Sequence, residues 1–210
     1  MDLSAINPAI LIASLMVAST PILLAALGEM VVEKAGVLNL GVEGMMLVGA
    51  ISGFAVTASS GSAILGVLAA IVAGMLMSLI FAFLTLTLMA NQVATGLALT
   101  IFGVGFSALV GSGFVGFAIE PLPGLHIPVL TDIPLVGEVL FGQDFLVDLS
   151  IVMVSAVGFF LSRTRGGLIL KAVGDSHHSA HAIGYSVIKI RYMATMFGGA
   201  MAGLAGAYLS

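Results

Sequence analysis

The chain reads as long apolar stretches separated by short polar breaks. A helix needs roughly 20 apolar residues, at about 1.5 Å rise each, to cross a membrane. Six such runs occur, at residues 8–27, 37–58, 62–90, 93–114, 145–162 and 192–210. They are unbroken, whereas a membrane β-barrel is built from segments of about ten residues that alternate apolar and polar. Helix also satisfies each backbone polar group within its own segment, as lipid demands. The pattern therefore predicts an all-α membrane protein, a polytopic transmembrane helix bundle of about six spans, forming one domain over 1–210. Ser59-Ser60-Gly61 and Asn91-Gln92 make tight breaks between spans, and two longer polar segments remain at 115–144 and 163–191.

Composition strengthens this reading. Apolar residues make up 60% of the chain and charged ones only 8%, against about 25% charged in a soluble domain. That balance excludes a soluble catalytic domain, so no enzyme is expected, and no nucleic-acid partner either; the partner implied is membrane lipid. Cysteine does not occur, which removes disulfides, thiolate metal sites and a cysteine nucleophile. The first run has no basic region before it and no clear small-residue cleavage site, so it reads as a retained span.

Lys and Arg accumulate on the cytoplasmic side of membrane proteins. Arg163, Arg165, Lys171, Lys189 and Arg191 fall in one polar segment, and the sixth basic residue, Lys34, lies between the first two spans. Counting spans puts both clusters on one face, taken as the inside, with 115–144 and the N-terminus outside. The chain stops at Ser210 within an apolar run, so a C-terminal truncation is expected.

Polar residues near membrane depth are the candidate chemistry. Glu43 opens the second span within a glycine-flanked stretch. It either borders a solute path beside an unwound helix start, or sits at the headgroups and caps the helix N-terminus. Asn91, Gln92 and Thr95 open the fourth span and either line that path or form a wet turn, and Asn39 is expected to border the path with Glu43. The small residues Gly49 and Gly53, and Gly199, Gly203 and Ala207, are four apart and read as close helix packing rather than chemistry. His177 and His181 share a helix face with His178 beside them, but no further ligand beyond Asp175 completes a tetrahedral set, so no metal is expected. No G-x-x-x-x-G-K-[ST] sequence occurs, so the chain itself cradles no nucleotide phosphate.

Three stretches together resemble a known family, the ABC importer permeases of the nucleoside, monosaccharide and branched-chain amino-acid group. The first is Gly28-Glu29, then Glu33-Lys34-Ala35-Gly36-Val37-Leu38-Asn39-Leu40-Gly41-Val42-Glu43-Gly44-Met45-Met46. The second is Asn91-Gln92-Val93-Ala94-Thr95-Gly96-Leu97-Ala98-Leu99. The third runs from Gly166-Gly167-Leu168 through Ala172-Val173-Gly174-Asp175 and Gly184-Tyr185 to Arg191-Tyr192 and Gly198-Gly199-Ala200. The first stretch looks most like the nucleoside branch, as does the outer segment from Asp132 to Gln143. One departure stands in the third, where the family carries Asn-Pro and a basic residue but this chain has Ser176-His177-His178 after Asp175.

The resemblance implies a permease for nucleosides or related small polar solutes such as sugars, in a bacterial plasma (inner) membrane. Its implied partners are an ABC ATPase subunit that carries the ATP, a second permease subunit and an extracytoplasmic substrate-binding lipoprotein. No cofactor is expected on this chain. The contact with the ATPase is expected in the basic loop at Gly174, Asp175, Ser176, Ala180, Ile183 and Gly184. There Ser176 would cap a short helix, the two glycines would bracket it, and Ala180 and Ile183 would share an apolar face. The rivals are a proton- or ion-coupled secondary transporter or channel using Glu43, and a purely structural bundle.

Overall fold

A computed structural model describes residues 8–118 and 144–210, with side-chain surroundings from Leu11 onward. The described residues are helical almost throughout. Helix α1 is Pro8–Lys34, α2 Val42–Ser60, α3 Ala63–Ala82 and α4 Gln92–Gly111. After the undescribed segment come α5 Phe145–Arg163, α6 Arg165–Asp175, α7 His177–Ala182 and α8 Val187–Leu209. A five-residue π-helix, Phe83–Thr87, prolongs α3, and a short 3₁₀ turn, Ser112–Phe114, ends α4. The all-α multi-pass architecture is thus as expected from the sequence; the outer stretch from Asp132 to Gln143 lies outside the described residues.

Among the described residues, five helical segments are long and apolar enough to cross a membrane: Leu11–Lys34, Val42–Ser60, Ala63–Thr87, Gln92–Phe114 and Phe145–Arg163. The sixth expected span is helical to Leu209, as α8, but its many glycines keep it less apolar than the other five. Its position explains that composition. α8 lies at the centre, packed against α1, α2 and α3, so protein rather than lipid surrounds it. Small residues let backbones approach closely, and packing supplies the stability that lipid-facing bulk does not. A Cβ at Gly49 of α2 would stand 2.8 Å from the Gly203 Cα of α8, and one at Gly74 of α3 would run into the Gly199 carbonyl. On the far side, Gly28 of α1 meets Met201 at 2.7 Å in the same sense. The outer faces are the reverse. Ile101 is 74% and Leu109 76% exposed on α4, with Ile64 and Leu76 similarly bare on α3. Apolar surface on that scale belongs against lipid.

Element boundaries differ from the sequence reading in three places. α1 runs to Lys34 instead of stopping at Leu27, because Gly28 is a packing contact with α8 and not a helix end. α2 begins at Val42 and not at residue 37, leaving an irregular strap at 35–41. The third span changes winding at Phe83, where the Leu88 N–H donates to the Phe83 carbonyl at 3.0 Å and the Thr85 hydroxyl returns to the buried Phe81 carbonyl at 2.7 Å. Such π turns arise where one residue is inserted into a helix. Here the turn brings the Thr87 hydroxyl to 2.6 Å from that of Tyr192 on α8.

Candidate functional site

The strap at 35–41 is where the three sequence stretches meet. α1 ends in a Schellman arrangement: the Val37 N–H donates to the Val32 carbonyl at 3.3 Å and the Gly36 N–H to the Glu33 carbonyl at 2.9 Å. Gly36 takes φ 76°, the left-handed conformation this cap requires. Beyond it the backbone has no helical or sheet partner of its own, so its N–H and C=O groups look to other parts of the molecule for partners.

Side chains supply them. The Leu38 N–H donates to Gln92 Oε1 at 2.8 Å and the Asn39 N–H to Glu29 Oε1 at 3.1 Å. The Gly41 N–H donates to the Asn39 side-chain oxygen at 3.0 Å, closing an Asx turn. The Thr100 hydroxyl donates to the Leu40 carbonyl at 3.1 Å and Arg191 Nε to the Ala35 carbonyl at 3.1 Å. Close contact completes the grip. A Cβ at Gly96 would lie 2.9 Å from the Leu40 and Gly41 nitrogens, and one at Gly174 would run into the Lys34 carbonyl. α1, α4, α6 and α8 thus hold one seven-residue segment between them.

This placement sorts the path candidates. Asn39 is buried and committed to its Asx turn, with its amide 3.6 Å from Met45 Sδ. Gln92 is committed to the strap, and Asn91 caps α4 by accepting from the Ala94 N–H at 3.1 Å. Glu43 is exposed in the first turn of α2 and Thr95 half-buried one turn into α4; neither side chain is hydrogen-bonded among the described residues. The start of α2 packs along the first half of α4: a Cβ at Gly41 would lie 3.2 Å from the Gly96 carbonyl, one at Gly44 would collide with the Leu99 carbonyl, and one at Gly103 would sit 2.5 Å from the Gly44 Cα.

The basic segment, expected to hold one short helix, forms two. Thr164 caps α6 by accepting from the Gly167 N–H at 3.0 Å, and Gly167 lies so close to the Phe160 carbonyl that α6 folds back on α5. Ser176 caps α7, accepting from the Ser179 N–H at 3.4 Å, as its position in the sequence indicates. α7 closes with a second Schellman arrangement, Tyr185 N–H to the Ala180 carbonyl at 3.1 Å and Gly184 N–H to the His181 carbonyl at 2.9 Å, with Gly184 at φ 95°. Gly184 turns the chain as expected. Gly174 does not: it lies inside α6 and serves to approach Lys34 and Gly36. Ala180 and Ile183 do not share an exposed patch either, since Ala180 is buried at 1% exposure and Ile183 is 74% exposed. Asp175 is exposed beside the cap.

Three residues that hold the strap escaped the list of candidates. Glu29, Thr100 and Arg191 all bond to it, and Glu29 Oε2 is buried with no partner among the described residues. Glu29 was legible by the criterion that singled out Glu43, a carboxylate near membrane depth, once α1 is allowed past Leu27. A cavity of about 640 Å³ lies beside this region between α1, α5, α6 and α8, lined by residues such as Val31, Phe160, Ile169 and Phe197. Its walls are apolar apart from Tyr185, which does not suit a solute rich in hydroxyls.

Comparison with known proteins agrees with this picture. No solved structure matches the chain. A putative glucose ABC transporter permease protein of Haloferax volcanii is 45% identical over 197 residues, covering 92% of this chain and 60% of that relative. A guanosine ABC transporter permease protein of Bacillus subtilis is 30% identical over 209 residues, and a nucleoside ABC transporter permease protein of Lactococcus lactis 27% over 210. Each match covers 94% of this chain, and 66% of the relative's own length. Residues 11–210 match the family described as branched-chain amino acid transport system / permease component. The strap, the α4 start and the α6–α7 hairpin all lie within that span, and the chain belongs to this family of membrane permeases.

Proposed function

We propose that this chain is the membrane-spanning permease of an ATP-driven ABC importer for nucleosides or related small polar solutes such as sugars. The observation that carries the reading is the family match over residues 11–210, joined to relatives named for glucose, guanosine and nucleoside transport. The partners follow from it: an ABC ATPase subunit that holds the ATP, a second permease subunit and an extracytoplasmic substrate-binding lipoprotein. The membrane is the plasma membrane of a prokaryote, with the N-terminus outside and the basic α6–α7 hairpin in the cytoplasm. The structure supports the relative placement, since Lys34, Gly174 and Arg191 gather at one end of the bundle.

Within this reading Glu43 and Thr95 border the solute path, because they lie near the starts of the packed helices α2 and α4 with no side-chain hydrogen bond among the described residues. Asn39, Asn91 and Gln92 shape that path through the strap and the α4 cap. The hairpin residues Asp175, Ser176, Ile183 and Gly184 present the ATPase contact, with Gly174 and Ala180 anchoring it from behind. The test is uptake of labelled guanosine and glucose by the full complex reconstituted in vesicles. Uptake that requires internal ATP supports the importer; uptake driven by a proton or sodium gradient without ATP supports a secondary transporter instead.

A further inference from the structure

The strap at 35–41 is gripped at its two ends by different parts of the molecule. Its first residues touch the hairpin side: the Lys34 carbonyl lies against Gly174 of α6, Arg191 Nε holds the Ala35 carbonyl at 3.1 Å, and a Cβ at Gly36 would stand 3.1 Å from the same guanidinium. Its last residues touch α4: Gln92 holds the Leu38 N–H at 2.8 Å, Gly96 packs on Leu40 and Gly41, and Thr100 holds the Leu40 carbonyl at 3.1 Å. Glu29 fixes the middle through the Asn39 N–H. α4 otherwise packs chiefly on α2, and the strap lies between it and Gly174.

We infer that this strap is the joint through which movement of the α6–α7 hairpin reaches the start of α4, with Gln92, Thr100, Glu29 and Arg191 as its positioning residues. The contact at Gly174 has no room to absorb a displacement, since not even a methyl group fits there, and close-packed contacts transmit strain rather than dissipate it. Sliding along α4 would break the bonds that Gln92 and Thr100 make to the Leu38 N–H and the Leu40 carbonyl, and the tight Gly96 contact leaves no free space for the shift. A hairpin displacement therefore carries the strap, and the strap carries the α4 start beside Glu43 and Thr95. This rests on the reading of the hairpin as the ATPase contact.

The experiment compares the reconstituted full complex bearing Gln92→Leu, Gln92→Glu or Thr100→Val with the unaltered one. Co-purification of the ATPase, ATP hydrolysis and solute taken up per ATP are each measured. The leucine and valine variants are expected to assemble and hydrolyse ATP, with uptake per ATP reduced about tenfold, the scale of one lost hydrogen bond. Gln92→Glu keeps an acceptor for the Leu38 N–H and is expected to restore uptake. Unchanged uptake per ATP in both Gln92→Leu and Thr100→Val would overturn the inference. So would failure of both to assemble, which would make the strap a brace and no more. If the unaltered permease does not bind the ATPase at all, the underlying functional reading falls instead.

Discussion

Gly49 on α2 and Gly203 on α8 touch backbone to backbone, with the place of a Gly49 Cβ only 2.8 Å from the Gly203 Cα. Gly203 is equally tight on its other side, against the Ala70 carbonyl and 3.1 Å from the Ile71 Cα. Replacing it by alanine drives the new Cβ into the α3 backbone and forces α8 and α3 apart, at a cost of about 1–3 kcal/mol for overpacking. Gly105 is the control, since nothing lies within 4 Å of its Cβ position. Thermal unfolding in detergent should show a clear loss for Gly203→Ala and none for Gly105→Ala. Equal behaviour of the two would refute this account of the core.

The two Schellman glycines make a second comparison. Gly184 has φ 95° with open space around it, whereas Gly36 has φ 76° with Gly174 at 3.2 Å. Alanine at either position incurs the left-handed penalty, about 1–2 kcal/mol, but only at Gly36 does it also meet neighbouring backbone. Gly36→Ala should therefore lower the unfolding midpoint more than Gly184→Ala. The reverse order would mean that the strap is looser than its contacts indicate.

The ATPase contact should separate Ile183 from Ala180. A glutamate at the exposed Ile183 is expected to abolish association with the ATPase while the hairpin keeps its shape. A glutamate at the buried Ala180 leaves a charge without a partner and is expected to open the hairpin to protease. Intact pull-down with Ile183→Glu would place the contact elsewhere on the loop.

Orientation can be read by labelling, because the chain contains no cysteine and His178 is exposed on α7. His178→Cys should resist a membrane-impermeant thiol reagent in intact cells and react once the cells are opened. Reaction in intact cells would invert the topology.

For the path, Glu43→Gln and Thr95→Val should each depress uptake without changing membrane insertion or ATPase association. Normal uptake in both would leave Glu43 as a helix-end carboxylate favoured by the α2 dipole.

Much of the fold was legible because lipid imposes a simple rule: apolar runs of span length become helices. The helix cap at Ser176 was equally legible, being local chemistry. The strap was not. Residues 37–41 are as apolar as a helix start, and only the distant side chains of Glu29, Gln92, Thr100 and Arg191 make an irregular backbone affordable there. Those partners lie up to 156 positions away in the chain, beyond the reach of local pattern. Ala180 and Ile183 failed for a related reason: spacing placed them on one helix face, but the rest of the hairpin decides which side of that face is covered.

The central place of α8 bears on how the protein is assembled. A segment enters a membrane by itself when its side chains partition into lipid, and α8 is the long helix that does not reach the apolar level of the other five. What it offers instead is a flat, glycine-rich surface that becomes favourable only against α1, α2 and α3. Those three helices are all synthesised before it. Insertion of α8 is then a docking event onto a waiting receptor, and a defect in that receptor would strand α8 rather than α1.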